Sequence, residues 1–213
     1  MEIILDVRKE IEKTFSYENS AHDFEHTLRV YGLCEHIGKI EKADMKVLLL
    51  SALLHDISRH EQDKSKGKVC HAELGAVKAR EILIGKKVST SIIDAVCHCI
   101  STHRFRKNNI PISKEAKILF DADKLDGIGA VGIGRSFMFA QSVGATLHND
   151  KSVDILKTSD YGKDDTAYRE YMVKLRHVKD RMLTKEGLRM AIERSKFMDL
   201  FFDRLNKEVD GEL

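Results

Sequence analysis

The 213-residue chain has no tryptophan, a single proline and only 7% aromatic residues. That scarcity disfavours a turn-rich β architecture, whose strands draw on aromatic and β-branched side chains and whose turns draw on proline. No apolar run reaches the roughly 20 residues of a membrane span, so no membrane association is expected. The first residues, Met1-Glu-Ile-Ile-Leu-Asp6, have neither the basic start nor the small-residue cleavage site of a secretion signal, so a cytoplasmic setting is expected. Charge of neither sign prevails: 36 Lys and Arg against 34 Asp and Glu leave +2, with opposite signs interleaved as in Glu10-Ile-Glu-Lys13. Such interleaving reads as solvated helix faces and gives no footprint for a nucleic-acid duplex. Cys34, Cys70, Cys97 and Cys99 lack the paired spacing of a zinc site. In Cys97-His98-Cys99, neighbouring side chains on a helix point apart and cannot chelate one ion together. These cysteines read as reduced, mostly buried thiols, with His98 a core histidine between them.

What is present is an ordinary globular composition, 42% hydrophobic and 33% charged. The length suits one domain, residues 1–213, with a sizeable core of its own. Apolar spacing predicts helices over 2–16 and 23–40, the second capped by Asp23, and a more buried helix over 44–57. A polar loop, 58–67, follows, then helices over 70–84 and 89–103 and a second loop, 104–111. Ser113 is placed to cap a helix over 114–126. Another helix runs from Arg135 to about Gln141, residues 148–165 are irregular, and two helices, 165–182 and 184–209, close the chain, with Thr184 capping the last. No stretch alternates with period two, so the fold class is all-α. Gly127-Ile-Gly-Ala-Val-Gly132 matches the G-x-G-x-x-G spacing of dinucleotide-binding loops, but no strand leads into it and no βαβ pattern surrounds it. A tight turn between close helices explains those glycines better. Apolar residues near the C-terminus, Phe197-Met-x-Leu-Phe-Phe202, suit a core or an interface between copies of a homo-oligomer.

Two stretches carry the chemistry. His55-Asp56 ends the greasy run Val47–Leu54, and Asp121-Ala-Asp-Lys-Leu-Asp126 follows later. An imidazole and a carboxylate in so apolar a setting are costly to bury unless paired or bound to a metal. His26, in Glu25-His-Thr-Leu-Arg-Val30, and Asp123 complete an ordered set His, His-Asp, Asp. Two His and two Asp suit a divalent ion such as Mn²⁺, Fe²⁺, Ni²⁺, Zn²⁺ or Mg²⁺, with positions left for water and a phosphate oxygen. His22, four residues before His26 on one helical face, competes with it for the role.

These segments resemble the HD-domain superfamily of metal-dependent phosphohydrolases: His26-x-x-Arg-Val30, His55-Asp56 and Asp121-Ala-Asp-Lys-Leu-Asp126, together with His71-Ala-Glu-Leu-Gly-Ala76 and Ile100-x-x-His103. The tail from Lys174 through Met198 is similar to the bacterial and archaeal subgroup of predicted HD hydrolases. The resemblance implies an all-helical HD-domain bundle, with a metal-binding core over about 20–140 and C-terminal helices over about 165–209. It implies one divalent ion held by His26, His55, Asp56 and Asp123, with Asp121 and Asp126 hydrogen-bonding nearby, and a possible second ion drawing on further histidines. The expected activity is hydrolysis of a small phosphorylated metabolite, a nucleotide for preference, at a phosphomonoester, phosphodiester or pyrophosphate bond. Asp56, Asp123 and Lys124 are the candidate catalytic residues. Arg29, Arg59, His71, His103 and Lys124 are the candidates for binding substrate. Arg59 stands where some HD nucleotidases carry a glutamate, and the Glu-Asp pair of the alarmone hydrolases is absent after Asp56, which argues against those two activities. A metal-bearing binding or regulatory module without turnover is the alternative.

Overall fold

The structure, a computed structural model, describes residues 2–16, 24–104, 109–150 and 152–213. His22 and the Asp23 cap therefore lie outside the described residues. Among the described residues every regular element is helical and none is a strand. The α-helices are α1 (Glu2–Ser16), α2 (Phe24–Glu41), α3 (Met45–Leu54), α4 (Arg59–Lys64), α5 (His71–Gly85), α6 (Thr90–Thr102), α7 (Lys114–Asp126), α8 (Gly129–Ser142), α9 (Ala167–Val173) and α10 (Lys185–Val209). None of them is long and apolar enough to cross a membrane. The chain divides into two compact units, Met1–Asp123 and Lys124–Leu213.

The first unit is built around α3. Residues 47–54 are all buried, as a helix apolar on every side requires, and α1, α2 and α6 pack against it. Asp44 caps α3, its carboxylate accepting from the Lys46 and Val47 amides at 2.9 and 3.1 Å. On α2 the buried stripe includes His26, Val30, Cys34 and Ile37, a helical repeat. Gly38 lets α2 approach α3, since a Cβ there would sit 2.5 Å from Leu48 Cδ2 and 2.9 Å from Met45 Sδ. α5 lies along α6, and α4 leans on α5, tied down by the Lys78–Glu61 ion pair. At the head of α7, Ser113 Oγ accepts from the Ala116 amide at 3.1 Å, the expected cap. Glu115 anchors the same end by accepting from the Asp44 amide at 2.9 Å.

Three expectations in this unit need correcting. The helix expected over 44–57 stops at Leu54, and residues 55–58 turn. The segment read as a loop then contains α4, whose entry is set by the Arg59 amide donating to the Asp56 carbonyl at 2.9 Å. His98 is half-buried rather than a core residue; its Nε2 accepts from the Ile112 amide at 3.2 Å and so pins the chain before α7. Cys34, Cys97 and Cys99 are buried free thiols and Cys70 is half-buried.

In the second unit α8 and α10 pack together and α9 joins α8. The glycine-rich segment holds the expected tight turn at Gly127 and Ile128, but the helix after it, α8, begins at Gly129 rather than at Arg135. Gly132 permits that start, because a Cβ there would lie 2.2 Å from the Gly127 carbonyl oxygen. The single helix expected over 165–182 breaks at Lys174 (φ −138°, ψ −57°) and continues as a 3₁₀ turn, Leu175–Arg181. Tyr168, Tyr171, Phe201 and Phe202 make an aromatic core, with Tyr171 and Phe202 stacked at 4.5 Å. Thr184 caps α10 by accepting from the Gly187 amide at 3.1 Å. Of the apolar residues near the C-terminus, Met198 and Phe202 are buried while Phe197 and Leu200 are exposed.

Candidate metal centre

His26, His55, Asp56, His71, His103 and Asp123 come from near helix ends and converge. His26 projects from α2 and is buried. His55 and Asp56 occupy the turn after α3. Leaving the helix there lets two adjacent side chains face the same region, which a continued helix would forbid. His71 is the first residue of α5, His103 follows the last residue of α6, and Asp123 lies in the last turns of α7.

Two groups result, each with its ligand atoms within 4.8 Å of one another: His26, His55 and Asp123, and Asp56, His71 and His103. In the first, His26 Nε2 lies 3.3 Å from His55 Nε2 and 3.4 Å from Asp123 Oδ1. In the second, His71 Nε2 lies 3.0 Å from Asp56 Oδ1 and 3.1 Å from His103 Nε2. Asp56 stands between them. Its Oδ2 is 3.8 and 3.9 Å from the Nε2 atoms of His26 and His55, while Oδ1 faces His71 and His103.

The outer edge of the rings fixes what the inner edge offers. His55 Nδ1 donates to the Ala52 carbonyl at 2.8 Å and His103 Nδ1 to the Ile100 carbonyl at 2.6 Å. A carbonyl only accepts, so each Nδ1 carries the proton and each Nε2 turns a lone pair inward. His71 Nδ1 is 3.0 Å from Gln62 Oε1, which also accepts from Arg104. Arginine only donates, so the shared Gln62 atom is the oxygen, and His71 too points a lone pair inward. The inward lone pairs of His71 and His103 thus face each other at 3.1 Å and face Asp56 Oδ1 at 3.0 and 3.7 Å. That arrangement is repulsive by itself, and a divalent cation among the acceptors relieves it. The donor set of imidazole nitrogen and carboxylate oxygen fits such an ion, and rings oriented through their second nitrogen are characteristic of metal ligands.

The electrostatics point the same way. Burial drives the His103 pKa down to about 3, against the pull of Asp123. Burial also lowers His71, with Asp56 opposing and Arg59 and Arg104 reinforcing the shift. Both rings are neutral near pH 7, as ligands must be. For Asp56, burial alone would raise the carboxyl, but the neighbouring imidazoles of His55, His71 and His103, once protonated in acid, hold it well below the ordinary carboxylate range.

Of the remaining sequence candidates, Arg59 reaches the edge of this cluster. Arg59 Nη1 is 3.5 Å from the outer nitrogen of His71, and its Nε pairs with Asp63 at 3.5 Å. Arg29 stands one turn after His26, 3.8 Å from Glu25. Lys124 follows Asp123 on α7 and is half-buried, and Asp121 is fully buried. Asp126 is buried in an ion pair with Arg135. Gln62 and Arg104 were not anticipated; both sit in segments that read as polar loops, where nothing distinguishes them from solvated residues.

Comparison with known proteins bears on this geometry. The HD domain family profile matches residues 23–128, which include both ligand groups. YpgQ of Bacillus subtilis is 34% identical over 209 residues, 96% of this chain and 93% of YpgQ. The crystal structure of YpgQ in complex with ADP superposes with a TM-score of 0.76 at 30% identity, covering 98% of each chain. A predicted HD superfamily hydrolase from an uncultured Thermotogales bacterium gives a TM-score of 0.66 at 29% identity, over 98% of this chain and 92% of that one. An HD-superfamily hydrolase from Bacillus thuringiensis, 24% identical, shares the fold with a TM-score of 0.79 over 98% and 97% of the two chains.

Proposed function

The chain belongs to the HD-domain superfamily of metal-dependent phosphohydrolases, and on that premise we propose that it hydrolyses a phosphate bond of a small phosphorylated metabolite, a nucleotide. The observation that carries this reading is the convergence of buried imidazole nitrogens and carboxylate oxygens within 4.8 Å of one another, with the lone pairs of His55, His71 and His103 turned inward. Support for a nucleotide comes from the relative YpgQ, crystallised with ADP.

His26, His55, Asp56 and Asp123 are the proposed holders of one divalent ion. Asp56, His71 and His103 would suit a second, with Asp56 lying between the groups, Oδ1 toward His71 and Oδ2 toward His26 and His55. A divalent ion bound there polarises a phosphoryl oxygen and acidifies water. The protein's own part is positioning and charge. Asp123, 18% exposed at its side chain against 7% for Asp56, is the carboxylate more open to solvent. In this reading its oxygens accept a hydrogen bond from the attacking water and aim it at phosphorus. Lys124, Arg29 and Arg59 offset the charge that builds on the phosphate oxygens. His71 and His103 serve as ligands rather than as acids, since both rings are neutral and their protons are committed outward.

Elemental analysis of wild type beside Asp56→Ala, followed by phosphate and pyrophosphate release from a nucleotide panel with Mn²⁺, tests the reading. Bound metal and turnover that both vanish in the variant support it, and the product released names the bond. Metal without turnover on any nucleotide favours a binding module. Metal unchanged in the variant refutes the site.

A further inference from the structure

The three rings whose orientation is fixed are not fixed in the same way. His55 and His103 follow helix ends and reach back three residues to a carbonyl of the preceding turn, Ala52 and Ile100. Those acceptors are main chain, and no side-chain substitution removes them. His71 opens α5, so no preceding helical turn offers it a carbonyl. Its acceptor is supplied instead by a side chain of α4: Gln62 Oε1 lies 3.0 Å from His71 Nδ1 and 3.4 Å from the His71 amide nitrogen. Arg104 donates to the same oxygen and so fixes which end of the amide faces the ring. Arg59 and Arg104 lie 3.5 and 3.4 Å from that edge of the imidazole, where their charges oppose an imidazolium.

We infer that Gln62 is a positioning residue for the second ion: by accepting a hydrogen bond from His71 Nδ1–H it turns the His71 Nε2 lone pair onto Asp56 and His103. Filling of the Asp56–His71–His103 group then depends on α4, while the His26–His55–Asp123 group does not. The inference rests on the reading of Asp56, His71 and His103 as an ion site.

The test uses the full chain, stripped of metal, in wild type, Gln62→Leu and Gln62→Glu. Binding of Mn²⁺ is followed by calorimetry, and pairing of the ions by the spin-coupled electron paramagnetic resonance signal of two adjacent Mn²⁺. Wild type is expected to take two ions and show the coupled signal. Gln62→Leu should keep the first affinity and bind the second ion about 10–100-fold more weakly, the usual effect of removing a residue that orients a ligand. Gln62→Glu, whose carboxylate accepts the same proton, should restore the second ion and the coupled signal. Two unchanged affinities in Gln62→Leu would overturn the inference and leave the second site standing. An equal loss in the Leu and Glu variants would also overturn it, because an oxygen acceptor would then not be what matters. A wild type that takes only one ion would overturn the second-site reading itself, and the inference with it.

Discussion

At the scale of single residues, the buried imidazoles tie stability to pH. The folded His103 ring protonates near pH 3 because burial disfavours its charge, whereas an unfolded histidine does so near 6.5. Between those values the unfolded chain holds a proton that the folded chain refuses, so stability rises with pH across that window. It is complete above about pH 6.5 and is lost progressively as pH falls toward about 3. His71, also lowered by burial, acts with the same sign. Asp56, held below the carboxylate range, adds a further loss at more acidic pH. Thermal unfolding of chelator-treated protein should therefore show a falling midpoint from pH 7 to 5, at up to about 1.4 kcal/mol per pH unit for each refused proton. His103→Gln, which has no such proton to refuse, should flatten that slope. An unchanged midpoint across this range would contradict the account.

At the scale of elements, the distance between α2 and α3 sets the first ligand group. That distance depends on Gly38, where a Cβ would fall 2.5 Å from Leu48 Cδ2. Gly38→Val overfills the contact and is expected to cost about 1–3 kcal/mol, as overpacking usually does. It should also move His26 away from His55, which now stand 3.3 Å apart at Nε2. Ion affinity at His26, His55 and Asp123 should fall, while the group on Asp56, His71 and His103 is less affected, because the latter two stem from α5 and α6. Calorimetric titration resolving two ions would separate these effects; equal weakening of both would show that α2 and α3 do not act locally.

At the scale of the whole molecule, an ion held at the proposed site would add to the stability of the fold. An ion that binds only the folded state stabilises it by mass action, about 2.7 kcal/mol when free metal is a hundredfold above its dissociation constant. Mn²⁺ should accordingly raise the unfolding midpoint of wild type and leave that of Asp56→Ala nearly unmoved. ADP added with the metal should raise the wild-type midpoint further if the nucleotide reading is right. No shift with ADP, at concentrations where Mn²⁺ gives one, would argue against that substrate class.

The sequence by itself determined the helical class, most helix positions and the caps at Ser113 and Thr184, because local spacing and side-chain chemistry decide these. It also marked His26, His55, Asp56 and Asp123 as unusual, since an imidazole or carboxylate beside a run such as Val47–Leu54 is too costly to bury without a partner. Where α3 stops, that α4 exists, and that the helix after Thr166 breaks at Lys174 were decided by tertiary contacts that outweigh weak local propensities. That six candidate ligands fall into two groups with Asp56 between them belongs to the tertiary structure as well. Distances between residues 26, 56, 71, 103 and 123 are set by helix packing and leave no trace in spacing along the chain. Gln62 is the clearest case: in sequence it is one polar residue among many, and its role arises because α5 begins at His71, where the chain has no carbonyl of its own to offer.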